Sequence, residues 1–313
     1  MPKPSVLVTR RIPSAVLAKL EAVCDVEMHR LGDLPHDELV SRVTGKQGLL
    51  SVVTDTIDRP VFEAGRDLKV VSTIAVGYNN INVAAAREHN VVVTNTPDVL
   101  TEAAADLTWS LILSMTRRIV EGDRLARRGA WKGFALDFML GTDLRDKQLG
   151  IVGFGRIGRA VAARAAAFGM RVAFSSRTAV SSPLGENMPL DRLLSTSDVV
   201  TLHCPLTSET RHLINQTTLA RMKRSAYLVN ASRGPVVDEA ALVWGLENHL
   251  IAGAALDVYE REPEIHSGLL SLENVVLSPH LGSSTIETRT TMIHLAVDNI
   301  IAVLSGRSPL TPI

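Results

Sequence analysis

Short runs of β-branched and aliphatic residues punctuate the chain, each followed by a turn and then by a stretch whose apolar positions carry helical spacing. Residues 5–8 read as a strand, and a helix follows over about 14–23. The strand pattern returns at 49–53, 69–74 and 91–93, with helical pieces such as 83–89 between them. A second series opens near Gln148, with strands expected at 149–152, 171–175, 199–203, 227–229, 254–258 and 275–277. Strands this short and this apolar, alternating with helices, argue for parallel sheets covered on both faces. One long helical stretch over about 102–128 joins the two series. Its acids, Glu102 and Asp106, come early and Arg124, Arg127 and Arg128 come late, as the helix macrodipole favours. Trp109, Leu111, Ile112, Leu113 and Met115 crowd its middle, which predicts burial. A last helix is expected over about 285–304. The pattern is that of an α/β protein with two doubly wound domains, 1–98 plus 284–313 and 99–283.

Composition narrows the function. A chain of 313 residues has room for two domains, and 46% hydrophobic with 21% charged residues excludes a disordered protein. The 33 basic side chains balance 33 acidic ones. Nothing in that balance favours nucleic acid or an anionic membrane, so an anionic ligand must be gripped by a few placed groups. Cys24 and Cys204 cannot form a disulfide framework and are expected as buried free thiols in a reducing compartment. No secretory leader is read at the start, and the uncharged stretch 107–116 is too short to span a bilayer. A cytoplasmic location and no metal site are the expectations.

The clearest chemistry lies at Gly153-Phe154-Gly155-Arg156-Ile157-Gly158, which fits GxGxxG. An apolar strand precedes it, and a helical run ending at Gly169 and another strand follow, completing the βαβ unit of a Rossmann dinucleotide-binding domain. The three glycines answer three needs: a tight turn, close approach to a pyrophosphate, and packing of helix on strand. An acidic residue about 20 positions on ordinarily bonds the ribose 2′-hydroxyl. Here Ser175-Ser176-Arg177-Thr178 stands in that place, with Ser176 18 residues after Gly158. Serine does not repel a 2′-phosphate, Arg177 can pair with it, and Ser176 and Thr178 can donate to it. The expected cofactor is therefore NADP(H), with NAD(H) second.

Ligands of open α/β sheets bind beyond the carboxyl ends of strands. Three later strand ends carry polar groups: 230–234 with Arg233, 257–263 with Asp257 and Glu262, and 279–282 with His280. Reduction of a 2-oxo acid needs a guanidinium for its carboxylate, an imidazolium to protonate its carbonyl oxygen, and a carboxylate to keep that imidazole charged. Arg233, His280 and Glu262 supply one of each. His29, His36, His89, His212, His249, His266 and His294 lie in stretches where no such partner is read.

With Asn230-Ala231-Ser232-Arg233-Gly234, Asp257-Val258-Tyr259 to Glu262-Pro263, and Pro279-His280-Leu281-Gly282 following the glycine fingerprint in order, the chain resembles the D-2-hydroxyacid dehydrogenases over nearly its whole length. It is most similar to their glyoxylate/hydroxypyruvate reductase branch. The resemblance implies a flavodoxin-like substrate domain beside the Rossmann domain. It implies Arg233 as substrate anchor, Glu262 as partner of the histidine and His280 as acid/base. It places Asp257 by the nicotinamide carboxamide and Thr101 by the cofactor phosphates. His203, Cys204, Pro205 and Thr210 would lie under the cofactor, and Ala231, Ser232 and Gly282 beside it. Val76 and Gly77 would hold the substrate carboxylate by their main-chain N–H groups. Trp131 resembles an aromatic that reaches a neighbouring subunit's site, so a homodimer is implied. Hinges near 98–101 and 281–285 are expected to let the domains close over the substrate. Two alternatives stay open: a reductase of aryl pyruvates such as hydroxyphenylpyruvate, and a dinucleotide-sensing corepressor.

Overall fold

A computed structural model describes residues 2–178 and 180–313. The chain divides into two compact units, Met1–Leu100 with Ser283–Ile313, and Thr101–Gly282.

The first unit runs β1 (Ser5–Val8), α1 (Ser14–Glu21), β2 (Asp25–Met28), α2 (His36–Arg42), β3 (Gly48–Ser51), α3 (Arg59–Ala64), β4 (Val70–Thr73), α4 (Val83–Glu88) and β5 (Val92–Thr94), and is completed by the C-terminal helix Ile286–Leu304. Its strands are all parallel, in the order β2-β1-β3-β4-β5. That is the flavodoxin-like order. Successive side chains alternate between faces, so Leu7, Leu49, Val71 and Val93 pack with Leu39, Val61, Phe62 and Ala85 of α2–α4. Val6, Val8, Leu50 and Val70 point the other way, onto α1 and onto Ala296, Val297 and Ile300 of the C-terminal helix. The loop carrying Val76 and Gly77 leaves β4, and Asn95 Nδ2 fastens it by donating to the Val76 carbonyl at 2.8 Å. β2 is a strand that apolar patterning passes over: its sequence DVEM lies at the sheet edge and is not fully buried.

The second unit begins with α5 (Thr101–Thr116) and α6 (Ile119–Arg127), followed by β6 (Gln148–Val152), α7 (Arg156–Ala165), β7 (Arg171–Ser175), β8 (Glu186–Asn187), α8 (Leu190–Thr196), β9 (Val199–Leu202), α9 (Gln216–Leu219), β10 (Tyr227–Asn230), α10 (Glu239–Glu247), β11 (Gly253–Leu256), α11 (Ser267–Leu270) and β12 (Val275–Leu277). The sheet is parallel throughout and ordered β12-β11-β10-β9-β6-β7-β8. The order reverses between β6 and β9, the switch point at which doubly wound sheets bind ligands. Trp109 of α5 stacks on Phe168 at 4.3 Å and donates from Nε1 to the Val161 carbonyl of α7 at 3.1 Å, fixing α7 against α5.

The expected single helix over 102–128 is two helices. The Thr116 carbonyl accepts from the Thr142 N–H at 2.8 Å, and Arg118 adopts a left-handed conformation with φ of 53°. Gly141 presses on the same carbonyl, where a Cβ would stand only 2.4 Å away. The late arginines therefore belong to α6, and α5 alone carries the buried Trp109, Leu111, Ile112 and Met115. After α6, the segment 130–140 lies over the surface with Trp131, Phe134, Leu136, Phe138 and Leu140 exposed; Phe134 is 86% and Leu136 87% accessible. Cys24 and Cys204 are buried free thiols. Among the described residues no helix is long and apolar enough to cross a membrane, and no group of His, Cys and acidic side chains could hold a metal.

Candidate active site

The turn after β6 shows why glycine is needed there. Gly153 has φ of 95°, and a Cβ on it would lie 2.5 Å from the Cys204 nitrogen. The end of β9 thus excludes any side chain. Gly158, inside α7, is as tight: its Cβ would meet the Gly153 carbonyl oxygen at 2.3 Å. Gly155 differs. It caps the N-terminus of α7, and an added Cβ would meet nothing within 4 Å. The outer glycines weld the turn to the fold, and the middle one leaves main chain open at the positive end of a helix. A nicotinamide dinucleotide fits this cradle through its pyrophosphate. Phe154 is buried and stacks on Phe174 at 3.7 Å, with the Arg159 guanidinium 4.7 Å over its ring. Ile157 packs against the same core, so the side chains of Phe154 and Ile157 both serve the fold.

Beyond β7, Ser176 Oγ donates to the Thr178 carbonyl at 2.7 Å, which orders the Ser175–Thr178 loop. Arg177 and Thr178 are exposed, and the Arg177 charge acts on Glu209 in the loop after β9. In that loop Thr210 Oγ1 donates to the Pro205 carbonyl at 2.7 Å and accepts from the Thr207 N–H at 2.8 Å. His203 Nε2 lies 2.9 Å from Thr201 Oγ1, and burial pulls the imidazole down to about 4, so it is neutral at ordinary pH. Burial likewise pushes the Cys204 thiol up to about 11, which makes it inert.

The three later strand ends lie side by side. β10 ends at Asn230, whose Oδ1 accepts from the Ser232 N–H at 3.1 Å and from Ser232 Oγ at 2.9 Å, while its Nδ2 donates to the Arg233 carbonyl at 3.0 Å. This local bonding sets the turn through Ala231 and presents Arg233. After β11, Asp257 is buried and accepts from Ser278 Oγ at 2.6 Å, the Leu281 N–H at 2.7 Å and the Gly282 N–H at 2.9 Å. It clasps the 278–282 strap, on which His280 sits with φ of 54°. His280 Nδ1 stands 2.7 Å from Glu262 Oε2, and the second Glu262 oxygen accepts from the Tyr259 N–H at 3.0 Å.

Electrostatics separates these groups. Burial pushes the Glu262 carboxyl up, but the His280 bond and charge, the Tyr259 N–H and the Arg233 charge together hold it below the usual carboxylate range. Burial pushes the Asp257 carboxyl above that range, against its three donors and the His280 charge. Burial pulls the Arg233 guanidinium down, with the Glu262 charge opposing. Glu262 is thus the anion on which a cationic His280 and Arg233 both act.

Thr101 opens α5, Val76 and Gly77 belong to the first unit, and Trp131 is exposed, its Nε1 donating to the Gly133 carbonyl at 2.8 Å. Two histidines read as lacking a carboxylate have one. His36 Nε2 lies 2.9 Å from Asp58 Oδ1, and His212 Nε2 is bonded to Glu260 Oε1. Those partners lie 22 and 48 residues along the chain, beyond the reach of local pattern. Sequence reasoning passed over Asn230, Ser278 and Gly234 as positioning residues. The Asn-x-Ser spacing of a side-chain-bonded turn was the available signal for the first.

Residues 109–282 match the family described as D-isomer specific 2-hydroxyacid dehydrogenase, NAD binding domain. The chain is 46% identical to a glyoxylate reductase of Thermofilum pendens over 318 residues, covering 99% of this chain and 94% of that one. Among solved structures, a Thermus thermophilus protein is similar with a TM-score of 0.95 at 47% identity, over 99% of both chains. The NADPH-dependent glyoxylate/hydroxypyruvate reductase of Sinorhizobium meliloti, in complex with NADP and malonate, gives 0.90 at 35% identity, over 99% of this chain and 97% of that one.

The glycine geometry makes a sharp prediction. Gly155→Val should leave the melting temperature within a few degrees of the parent yet weaken dinucleotide binding at least about tenfold by crowding the helix end. Gly158→Ala should instead lower the melting temperature, because the Gly153 carbonyl must move. Calorimetric titration and thermal melts check both, and equal effects on folding from the two changes would contradict the assignment.

Proposed function

The chain belongs to the D-isomer specific 2-hydroxyacid dehydrogenase family, and from that premise we propose that it reduces a small 2-oxo acid, glyoxylate or hydroxypyruvate, to the D-2-hydroxy acid with NADPH. The observation that carries this reading is the 2.7 Å bond between His280 and Glu262, with the Arg233 charge acting on the same carboxylate. The Gly153–Gly158 turn would hold a nicotinamide dinucleotide, which when bound would supply the hydride to the 2-carbon of the substrate. Arg233 takes the substrate carboxylate and draws electron density onto the carbonyl oxygen. Because Nδ1 of His280 donates to Glu262, the proton available to the substrate oxygen is the one on Nε2. Glu262, held ionised, keeps the imidazole charged until that transfer. Asp257 keeps the strap from shifting by bonding Ser278, Leu281 and Gly282.

The preference for NADPH is supported by Ser176 where an acid would repel the 2′-phosphate, by the exposed Arg177 beside it, and by the NADP bound to the Sinorhizobium meliloti relative. NAD(H) is the second cofactor. The homodimer is supported by the exposed aromatic and aliphatic side chains of 131–140, since contiguous apolar surface of this kind marks an interaction site.

Three measurements test the proposal. Oxidation of NADPH and NADH should be followed with glyoxylate, hydroxypyruvate, pyruvate and hydroxyphenylpyruvate. Glyoxylate or hydroxypyruvate with NADPH should be fastest, and Ser176→Asp with Arg177→Ile should move the preference to NADH. Turnover confined to the aryl acid, or none at all, would overturn the reading. Glu262→Gln should move the alkaline limb of reduction to lower pH by about one unit, because the anion that favours the imidazolium is gone. The depressed Glu262 value also means that its ion stabilises the fold above the carboxylate range, a contribution lost as pH falls through the folded value. An unshifted limb would remove Glu262 from the acid–base pair. Sedimentation should give the mass of two chains, and Phe134→Ser with Leu136→Ser should give one; a parent protein sedimenting as a single chain would dismiss the dimer.

A further inference from the structure

A second imidazole–carboxylate pair stands behind the first. His212 bonds through Nε2 to Glu260, two residues before Glu262. The segment bearing His212 is laid against the chain that follows Arg233. The His212 N–H donates to the Pro235 carbonyl at 2.8 Å, the Ile214 N–H to Val236 at 3.1 Å, and the Asp238 N–H returns to Ile214 at 2.9 Å. On its other side the Glu260 N–H donates to Glu239 Oε1 at 2.8 Å, and Glu239 is buried in the first turn of α10. Gly234 completes the grip, because a Cβ there would fall 1.8 Å from the Tyr259 carbonyl oxygen. The turn that delivers Glu262 is therefore held by its side chain at Glu260, by its main-chain N–H at the same residue, and by the carbonyl of Tyr259.

An exposed ion pair is worth little by itself. This pair stands in a different setting. Glu239, Glu260 and Glu262 bring three carboxyl groups to one short turn, and burial followed by the Glu260 charge raises the Glu239 carboxyl. The His212 Nε2 bond gives the Glu260 carboxylate a partner of its own in that crowded turn. His212 also holds a left-handed backbone with φ of 50°, which a residue other than glycine adopts at a cost and keeps only where its surroundings dictate it.

We propose that His212 is a positioning residue for the acid–base pair: by holding Glu260 it fixes the Tyr259–Glu262 turn, and so fixes the reach of Glu262 to His280. The proposal rests on His280 being the proton donor. Charged groups face each member. Glu262 is faced by His280 and Arg233, with the Tyr259 N–H on its second oxygen, and His280 by Glu262 and Asp257. Glu239 is faced by Glu260 and His266, and Tyr259 by Asp257, Glu239 and Glu262. His212 reaches His280 through the turn, not by contact.

The test uses the full-length protein with His212→Ala and His212→Gln. The titration of the His280 imidazole is read by nitrogen-15 NMR, beside the pH profile of glyoxylate reduction and the thermal melt. In His212→Ala the His280 midpoint and the alkaline limb should both move down by about half a pH unit as Glu262 loosens. The value of kcat should fall about tenfold while KM for NADPH holds. His212→Gln, which keeps an N–H donor, should restore most of the loss. In a Glu262→Gln background His212→Ala should move neither the limb nor the midpoint further. An unmoved midpoint and limb, with only the melt lowered, would overturn the proposal. If His212→Ala does not fold, Glu260→Gln carries the same expectation and the same overturning result. The NMR midpoint reads the turn whether or not a 2-oxo acid is turned over. A shifted midpoint in a protein inactive on the whole substrate panel would therefore sustain the His212–turn coupling while sinking the reductase reading.

Discussion

A parallel strand covered on both faces can offer chemistry only where it ends, and that constraint arranges everything of interest in residues 101–282. β10, β11 and β12 lie side by side, and their carboxyl ends launch Arg233, Glu262 and His280 in turn. The same edge of β6 and β9 carries the glycine turn and His203. Side chains far apart in the chain become neighbours because adjacent strands in register bring their final residues level: Asn230 pairs with Leu256, and Leu256 with Leu277.

Two carboxylates on one loop meet opposite fates there. Asp257 is almost wholly buried and is opposed mainly by neutral donors, so burial wins and its carboxyl is raised. Glu262 answers to two cations, so attraction wins and its carboxyl is lowered. Differing environments thus divide the labour between a clasp and a counter-ion, as acidic pairs in active sites commonly do. The neutral His203 shows the third outcome, a titratable group that burial alone has silenced.

Most of the fold was legible because buried parallel strands are nearly continuous apolar runs, and the glycine fingerprint marks a turn packed too tightly for side chains at Gly153 and Gly158. What escaped notice depended on partners distant in sequence. β2 is an edge strand with DVEM for a sequence, and β8 is two polar residues, so neither carries the apolar signature. The break between α5 and α6 comes from a competing donor, the Thr142 N–H, 26 residues from the carbonyl it takes. Arg233, Glu262 and His280 could be singled out as candidates because they follow three neighbouring strand ends, beyond which such sheets bind ligands. Asn230 could not be separated from an ordinary polar turn residue until its amide was seen bonded in both directions. The carboxylates against His36 and His212 were hidden for the reason that hid Thr142.

Gly234 has a consequence for how such a protein can diverge. With no room between its α-carbon and the Tyr259 carbonyl, the loops after β10 and β11 are shaped against each other like a die and its casting. Insertions, deletions or grafted segments in one would be tolerated only with a matching change in the other. Variation that retunes the molecule is thereby channelled toward the rims, where exposed segments such as 176–178 are less constrained.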